Sequence, residues 1–258
     1  MARAGALRID HVMGLFRQFW IPQGKSGSEG AYITYPSEDL LGILALEATR
    51  ANALVVGEDL GTVPPDVPPA MERWGLLSSK VFYFERDERG GFRRANDYSA
   101  MALATANTHD MATLAGFWRG RDVELRREVG LIADGKGEKA ERKARVTDKE
   151  ALVRLLREEG TLPANETPER DVALRAAVHA FMRRTPSWLV GLSLDDLVGE
   201  VEPVNLPGVG PDRYPSWTRR LHVPLERFRE TPDVRRALGV ERWWVGGSTG
   251  LRPARMDE

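Results

Sequence analysis

The chain has 258 residues, no cysteine, and 37 basic against 38 acidic side chains, which gives a formal net charge of -1. The lack of cysteine excludes disulfides, zinc–thiolate sites and cysteine nucleophiles, so any chemistry must come from carboxylates, hydroxyls, amines or the four histidines. The near-neutral charge argues against nucleic acid as the main partner. No apolar run approaches the roughly 18 residues of a membrane span, and the N-terminus lacks the apolar core of a secretory signal. We therefore expect a soluble, cytoplasmic protein with no nucleic-acid or membrane partner.

Short extended runs alternate with helical patterns along most of the chain. The extended runs lie at residues 5–10, 53–59, 80–84, 103–107 and 188–192. This order predicts an α/β fold with a parallel sheet, either doubly wound or closed into a barrel. The length is also typical of a (β/α)8 barrel, which needs about 250 residues.

Two helical regions stand out between these runs. Leucines at helical spacing follow Pro36, and Ser37 is a plausible N-cap, so the pattern predicts a helix there. From about residue 121 to 185 the sequence is charged and helical, and residues 136–149 contain few apolar side chains. We interpret this interval as a helical excursion between the fourth and fifth strands, with its charge run on a solvated face.

Three segments place a carboxylate where an extended run ends. They are Arg8-Ile9-Asp10-His11, Gly57-Glu58-Asp59 and Asn107-Thr108-His109-Asp110. The carboxyl ends of parallel strands meet at one edge of a sheet, so these segments are expected to converge. Any one of them could merely cap a helix or pair with an arginine. All three together favour a site for acid/base or covalent chemistry.

The residue types suggest a division of roles within that site. Arg8 and Asp10 are two apart on a strand and share a face, so the guanidinium can orient the carboxylate of a nucleophile. Glu58 follows an apolar run, a position suited to a group that donates a proton. Asp110 and His109 can bind sugar hydroxyls. A retaining glycoside-processing site uses two carboxyl groups in this way.

At these residues the chain resembles the α-amylase superfamily, and more closely the amylomaltases, which are 4-α-glucanotransferases. Further segments are similar to that family in order and spacing: Tyr35-Pro36-Ser37-Glu38-Asp39, Lys80-Val81-Phe82-Tyr83-Phe84-Glu85, Asn205-Leu206-Pro207-Gly208 and Tyr214-Pro215-Ser216-Trp217. The resemblance extends through almost the whole chain.

The resemblance implies a role for six residues. Asp10 matches the nucleophile, Glu58 the general acid/base and Asp110 the transition-state stabiliser. Arg8, His109 and Asn205 match residues near the donor sugars. The implied reaction transfers an α-1,4-glucan segment to the 4-hydroxyl of a glucan or of glucose, through a covalent glucosyl-enzyme and without a metal or organic cofactor. Several aromatic residues could stack on sugar rings, although packing in the core is the commoner role for each: Trp20, Tyr32, Tyr35, Phe84 and Trp118.

The resemblance also predicts how much of a barrel this chain contains. The family nucleophile lies on the fourth strand, so we expect residues 1–258 to be the C-terminal portion of a glycoside-hydrolase-type (β/α)8 domain, an incomplete TIM-type barrel of about strands 4 to 8. Activity is then expected to require the missing N-terminal half of the barrel. An inactive truncated remnant and an α-glucan hydrolase of the same superfamily remain as alternatives.

A metal site is the remaining alternative, because His11 follows Asp10 and His109 precedes Asp110. His-Asp phosphohydrolases carry such ligands along helices, whereas both pairs here follow extended runs without a second histidine at helical spacing. The pattern therefore disfavours a metal centre. His179 and His222 are interpreted as packing or surface residues.

Overall fold

The computed structural model describes residues 4–166 and 171–240. Within these residues, seven short strands are present: β1 (Ala6–Ile9), β2 (Arg17–Trp20), β3 (Ala31–Thr34), β4 (Leu54–Gly57), β5 (Ser78–Val81), β6 (Ala102–Thr105) and β7 (Leu189–Gly191). The α-helices of the same residues are α1 (Ser37–Ala51), α2 (Val67–Arg73), α3 (Leu114–Arg119), α4 (Arg121–Glu128), α5 (Gly135–Glu158), α6 (Asp171–Met182), α7 (Leu194–Val198) and α8 (Pro232–Leu238). None of the described helices is long and apolar enough to cross a membrane.

Five of the strands run parallel and succeed one another in chain order. β1 pairs with β4, and β5 pairs with β6, which pairs with β7. A parallel bridge between Val56 and Leu77 joins β4 to β5, and the Gly57 N–H donates to the Leu77 carbonyl at 2.8 Å. The spatial order is therefore β1, β4, β5, β6, β7, and the carboxyl ends of all five strands lie at one edge. This confirms the expected α/β fold.

The third parallel strand is displaced from its predicted position. The sequence favours residues 80–84, but the strand spans Ser78–Val81. The chain turns after Val81, where the Phe84 N–H donates to the Val81 carbonyl at 2.8 Å. The apolar residues after Val81 do not extend the strand, and Phe82 instead packs fully buried in the main core.

An antiparallel hairpin formed by β2 and β3 follows β1, and the sequence analysis did not predict it. Arg17 pairs with Thr34, and Trp20 pairs with Ala31. All eight strand residues are exposed, so neither strand shows the alternation of apolar and polar residues that marks a half-buried strand. The hairpin therefore presents its aromatic side chains to solvent.

The predicted helices are present, with one change of detail. α1 begins at Ser37 itself, so Pro36 takes the N-cap position that the sequence assigned to Ser37. The helical excursion expected at about residues 121–185 contains α4, α5 and α6, and α3 lies just before it. The charge run lies on α5, whose buried residues Leu152, Leu155 and Leu156 all come near its C-terminal end, which confirms a solvated face for the run.

Two apolar clusters support the edge of the sheet that carries the candidate site. One includes Val12, Leu41 of α1 and Met71 of α2. The larger cluster includes Phe82, which follows β5, and packs β6 against α3, α5 and α6. β1 and β4 thus end above the first cluster, and β6 ends beside the second.

Candidate active site

The three candidate carboxylates follow three parallel strands at the same edge of the sheet. Asp10 comes directly after β1 and Glu58 directly after β4, while Asp110 lies in the loop after β6. Ile9 is opposite Gly57 in the register, so Asp10 and Glu58 begin the loops of neighbouring strands. Neighbouring strands lie about 4.8 Å apart. The sheet therefore brings Asp10 and Glu58 side by side, with Asp110 on the far side of β5.

Asp10 is held by the arginine that the sequence places on its face of the strand. Arg8 Nη1 lies 2.7 Å from Asp10 Oδ1, and the Asp10 side chain is 77% exposed. His11 then adopts a left-handed conformation with φ 47°. This conformation is uncommon for a residue with a side chain. It accompanies a sharp change of chain direction immediately after Asp10.

Glu58 is held by backbone groups of both loops. Its Oε2 accepts the His11 N–H at 2.8 Å, and its Oε1 accepts the Leu60 N–H at 2.7 Å. Its own N–H donates to the Ile9 carbonyl at 2.8 Å. The carboxylate of Glu58 therefore contacts the peptide group that directly follows Asp10. Each oxygen keeps a second lone pair, so the group can still exchange a proton with a ligand.

Asp110 belongs to a second group that includes two of the other predicted residues. Asn205 Nδ2 donates to Asp110 Oδ1 at 2.6 Å, and His109 Nε2 lies 3.4 Å from the same oxygen. Asn205 is 95 residues from Asp110 in the sequence, yet it contacts the side chain directly. The two groups are separate, because no hydrogen bond or ion pair found in the described residues joins Arg8, Asp10 or Glu58 to this second group.

Trp217 completes the second group and was not predicted as a site residue. Its ring lies 5.2 Å from the His109 ring, centroid to centroid, and it is 62% exposed. Its backbone has φ 65°, and its N–H donates to the Val204 carbonyl at 2.8 Å. The sequence offered only the motif from Tyr214 to Trp217 as a signal, and nothing in that motif indicates a contact with His109.

The aromatic residues considered for sugar stacking separate into two kinds. Trp20, Tyr32 and Phe84 are more than half exposed. Tyr35 accepts a hydrogen bond from Trp20 Nε1 at 3.0 Å. Trp118 packs against the main core and lies under Lys149. Trp20, Tyr32 and Phe84 are accessible to a ligand, Tyr35 is half-buried, and Trp118 has the packing role that was the commoner expectation.

The remaining histidines fit the roles expected from the sequence. His179 is fully buried on α6, and exposed His222 forms hydrogen bonds with Glu200. In the described parts of the chain, no group of three or more His, Asp or Glu side chains is arranged to hold a metal ion.

Gly57 allows the close packing that places Glu58. A Cβ at this position would lie 2.7 Å from Met71 Cε and 2.9 Å from Val12 Cγ2. The methionine can move, but the β-branched valine is stiff. We expect Gly57→Ala to lower the free energy of unfolding by about 1–3 kcal/mol, the usual effect of overpacking. Urea unfolding measures the change.

Gly5→Ala is the matched control for this prediction. A Cβ at Gly5 would meet no atom within 4 Å, so the change in stability should stay within about 0.5 kcal/mol. Equal effects of the two substitutions would show that close packing at Gly57 is not the cause.

Comparison with known proteins identifies the family. Residues 1–226 match the family described as 4-alpha-glucanotransferase. The chain is 40% identical over 226 residues to a 4-alpha-glucanotransferase of Haemophilus influenzae, and 38% identical over 229 residues to one of Mycobacterium bovis. These alignments cover 86% and 87% of this chain, but 32% and 30% of the two relatives.

Solved structures agree with this match. An amylomaltase from Corynebacterium glutamicum superposes with a TM-score of 0.85 at 34% identity, covering 92% of this chain and 35% of that one. An amylomaltase from Streptococcus agalactiae in complex with acarbose has a TM-score of 0.60 at 18% identity, covering 90% and 40%, and is similar in fold alone. The chain thus spans about a third of the length of these relatives. Because the family match extends over residues 1–226, the chain belongs to the 4-alpha-glucanotransferase family.

Proposed function

We propose that this chain provides the catalytic residues of a 4-α-glucanotransferase, an amylomaltase that acts on α-1,4-glucans. The observation that carries the proposal is the contact of Glu58 with the peptide group that follows Asp10. It sets two carboxyl groups on neighbouring strand ends, as a retaining mechanism requires. Family membership supports the same reaction.

In the first step, Asp10 attacks the anomeric carbon of the donor while Glu58 protonates the leaving glycosidic oxygen. The bond to the leaving sugar breaks, and a covalent glucosyl ester forms on Asp10. In the second step, Glu58 removes the proton from the 4-hydroxyl of an acceptor, and that oxygen attacks the anomeric carbon and releases Asp10. Arg8 orients the nucleophile through the 2.7 Å contact.

The second group binds the donor sugar. Asp110, held by Asn205 and flanked by His109, accepts hydrogen bonds from ring hydroxyls, and these strengthen as positive charge develops on the sugar. Every step uses side chains of this chain, so the proposal includes no metal or organic cofactor, and its ligands are maltooligosaccharides.

We further propose that the chain, predicted as one unit over residues 1–258, forms the part of a (β/α)8 barrel from about its fourth to its eighth strand, with the helical excursion as an insertion; residues 1–3, 167–170 and 241–258 of that range lie outside the described residues. The observed order of the five parallel strands supports this arrangement. A closed barrel needs two neighbours for every strand, whereas β1 and β7 each have one within the described residues. Activity therefore requires further strands, which pair with these two edges.

Maltotriose tests the proposed reaction. The chain is assayed alone and after joining it to the part of the Corynebacterium glutamicum amylomaltase that it does not cover. We expect the joined protein to yield both glucose and longer maltodextrins, and Asp10→Asn to abolish both products. Glucose and maltose without longer products would indicate a hydrolase. No turnover in the joined protein would indicate an inactive remnant, and both results would contradict the proposal.

The open edges also predict how the chain behaves by itself. Leu7 on β1 and Leu54 on β4 are exposed, as are Phe19, Trp20 and Ile33 of the hairpin. Exposed apolar side chains beside unpaired strand edges favour association. We expect the 258-residue chain to sediment as a dimer or larger species and the joined protein as a monomer. A monomeric, cooperatively unfolding chain would contradict the need for further strands.

A further inference from the structure

A buried carboxylate lies behind the loop that carries Asp110. Asp196, on α7, is fully buried. Its Oδ2 accepts Asn107 Nδ2 at 2.8 Å, and its Oδ1 accepts the Leu114 N–H at 2.7 Å. Asn107 and Leu114 flank residues 108–113, which include His109 and Asp110. One side chain therefore joins both ends of this loop, which we call the Asp110 loop.

Three further hydrogen bonds close the Asp110 loop on itself and on the segment after α7. Asn107 Nδ2 also donates to the Ala112 carbonyl at 3.2 Å. The Thr113 hydroxyl accepts the Gly116 N–H at 2.9 Å and donates to the Val201 carbonyl at 3.2 Å. A buried donor that loses its acceptor destabilises the fold. The loss of the Asp196 carboxylate would thus leave two donors unpaired at the ends of the loop.

Asp196 is itself fixed through its backbone. Arg175, fully buried on α6, donates to the carbonyl oxygens of Asp196 and Leu197 at 2.6 and 3.0 Å. Its other terminal nitrogen lies 3.1 Å from Asp233 on α8. The guanidinium therefore secures the main chain of α7, while the carboxylate of Asp196 is directed at the Asp110 loop.

We infer that Asp196 is a positioning residue for the active site: it holds the Asp110 loop so that Asp110 meets the donor sugar. The inference rests on the proposed function, because Asp110 acts there as the transition-state stabiliser. Asp196 does not touch substrate. Its effect passes through Asn107 and Leu114, whose positions determine where the Asp110 side chain lies.

A purely structural role is the competing explanation, and kinetics separates the two. A mutation that only lowers stability leaves the turnover of the folded molecules unchanged. A displaced Asp110 loses an interaction made in the transition state, so it lowers kcat and kcat/KM together with little change in KM. Displacement of a catalytic group by about 1 Å can cost on the order of 10²-fold in rate.

The test compares Asp196→Asn with Leu156→Ala. Leu156 is fully buried on α5 within the main core and its apolar side chain forms no hydrogen bond, so Leu156→Ala lowers stability while the bonds from Asp196 to the Asp110 loop stay in place. In the joined protein, at a temperature where both variants are folded, we expect Asp196→Asn to lower kcat on maltotriose about 10- to 100-fold with KM changed less than threefold. Leu156→Ala should retain its kcat.

Two additional measurements support the comparison. Hydrogen–deuterium exchange of residues 107–117 should be at least tenfold faster in Asp196→Asn and unchanged in Leu156→Ala. The double variant Asp196→Asn with Asn107→Asp restores their hydrogen bond with donor and acceptor reversed, but it loses the bond to the Ala112 carbonyl, so only part of the lost kcat should return.

The outcomes distinguish this inference from the proposed function. Unchanged exchange of the loop, or unchanged kcat in Asp196→Asn, would overturn the positioning role. Equal losses of kcat in Asp196→Asn and Leu156→Ala would also overturn it. Absence of transfer by the wild-type joined protein would overturn the proposed function, while the exchange measurement would still decide whether Asp196 holds the loop.

Discussion

In the joined protein, replacement of Glu58 by Ala is expected to lower kcat on maltotriose by about 10²–10⁴-fold, the usual contribution of general acid–base catalysis. The same variant should release close to one equivalent of fluoride in a rapid burst from α-maltosyl fluoride. Fluoride is a good leaving group and needs no proton, so the attack by Asp10 does not depend on Glu58. Release then stalls, because the acceptor hydroxyl has no base to activate it.

Asp10→Asn provides the contrast. Without a nucleophile, neither maltotriose nor α-maltosyl fluoride can form the glucosyl ester, so we expect no fluoride burst and no transfer products. Glu72→Ala is the matched control, because Glu72 is an exposed glutamate on α2, and its burst and turnover should equal those of the wild type. A burst from Asp10→Asn would contradict the role of Asp10 as the nucleophile. Normal turnover of maltotriose by Glu58→Ala would contradict the role of Glu58 as the general acid/base.

The positions of Asp10 and Glu58 could be predicted because they depend on local sequence. Each follows a short apolar run, and the register that pairs Ile9 with Gly57 brings the two strand ends together. The hairpin could not be predicted by this approach, since every residue of β2 and β3 is exposed and no period of two exists. Recognition of a strand from its pattern requires one buried face.

The sequence pattern also could not predict the parts of the site that depend on contacts between residues far apart in the chain. Asp195 and Asp196 are adjacent and look alike, as two acidic residues in the first turn of α7. Asp195 forms an ion pair with Arg219, whereas Asp196 is buried against Asn107, which is 89 residues away. Trp217 reaches His109 by a similarly long connection. Only the packing of α7 against the Asp110 loop distinguishes the two carboxylates.

Two buried groups are expected to give opposite pH dependences that nearly cancel in the wild-type protein. Burial raises the pKa of Asp196 from 3.8 to about 7, although the bonds from Leu114 and Asn107 act in the other direction. Burial lowers the pKa of His179 from 6.5 to about 4, assisted by the positive charges of Arg183 and Arg175. For both groups, the range from pH 4.5 to 6 lies between the pKa in the folded protein and the pKa in the unfolded chain.

The sign of each contribution follows from which state binds the proton. Between its two pKa values, folded Asp196 holds a proton that the unfolded chain has lost, so its contribution to stability falls as the pH rises. In the same window, the unfolded chain holds a proton on His179 that the folded protein lacks, so this contribution rises with pH. Each changes the free energy of unfolding by about 1.4 kcal/mol per pH unit. Together they leave little slope.

Single substitutions should reveal the two slopes. Relative to wild type, the free energy of unfolding of His179→Leu should fall by about 2 kcal/mol between pH 4.5 and 6, and that of Asp196→Asn should rise by about the same amount. The double variant should again match the wild-type slope. Urea unfolding of each variant in the same form of the protein measures these differences, because all other titrating groups cancel in the comparison with wild type.

This prediction concerns how the free energy of unfolding changes with pH, and not its value at any one pH. His179→Leu removes a buried ring whose two nitrogens have no hydrogen-bond partner among the described residues, so its overall stability can rise at every pH. Asp196→Asn replaces one acceptor oxygen by an NH2 group, so its absolute stability also differs from that of the wild type. A flat difference curve for either variant would show that its group does not change protonation on unfolding in this range. If the two difference curves sloped in the same direction with pH, burial would not disfavour the charged form of both Asp196 and His179.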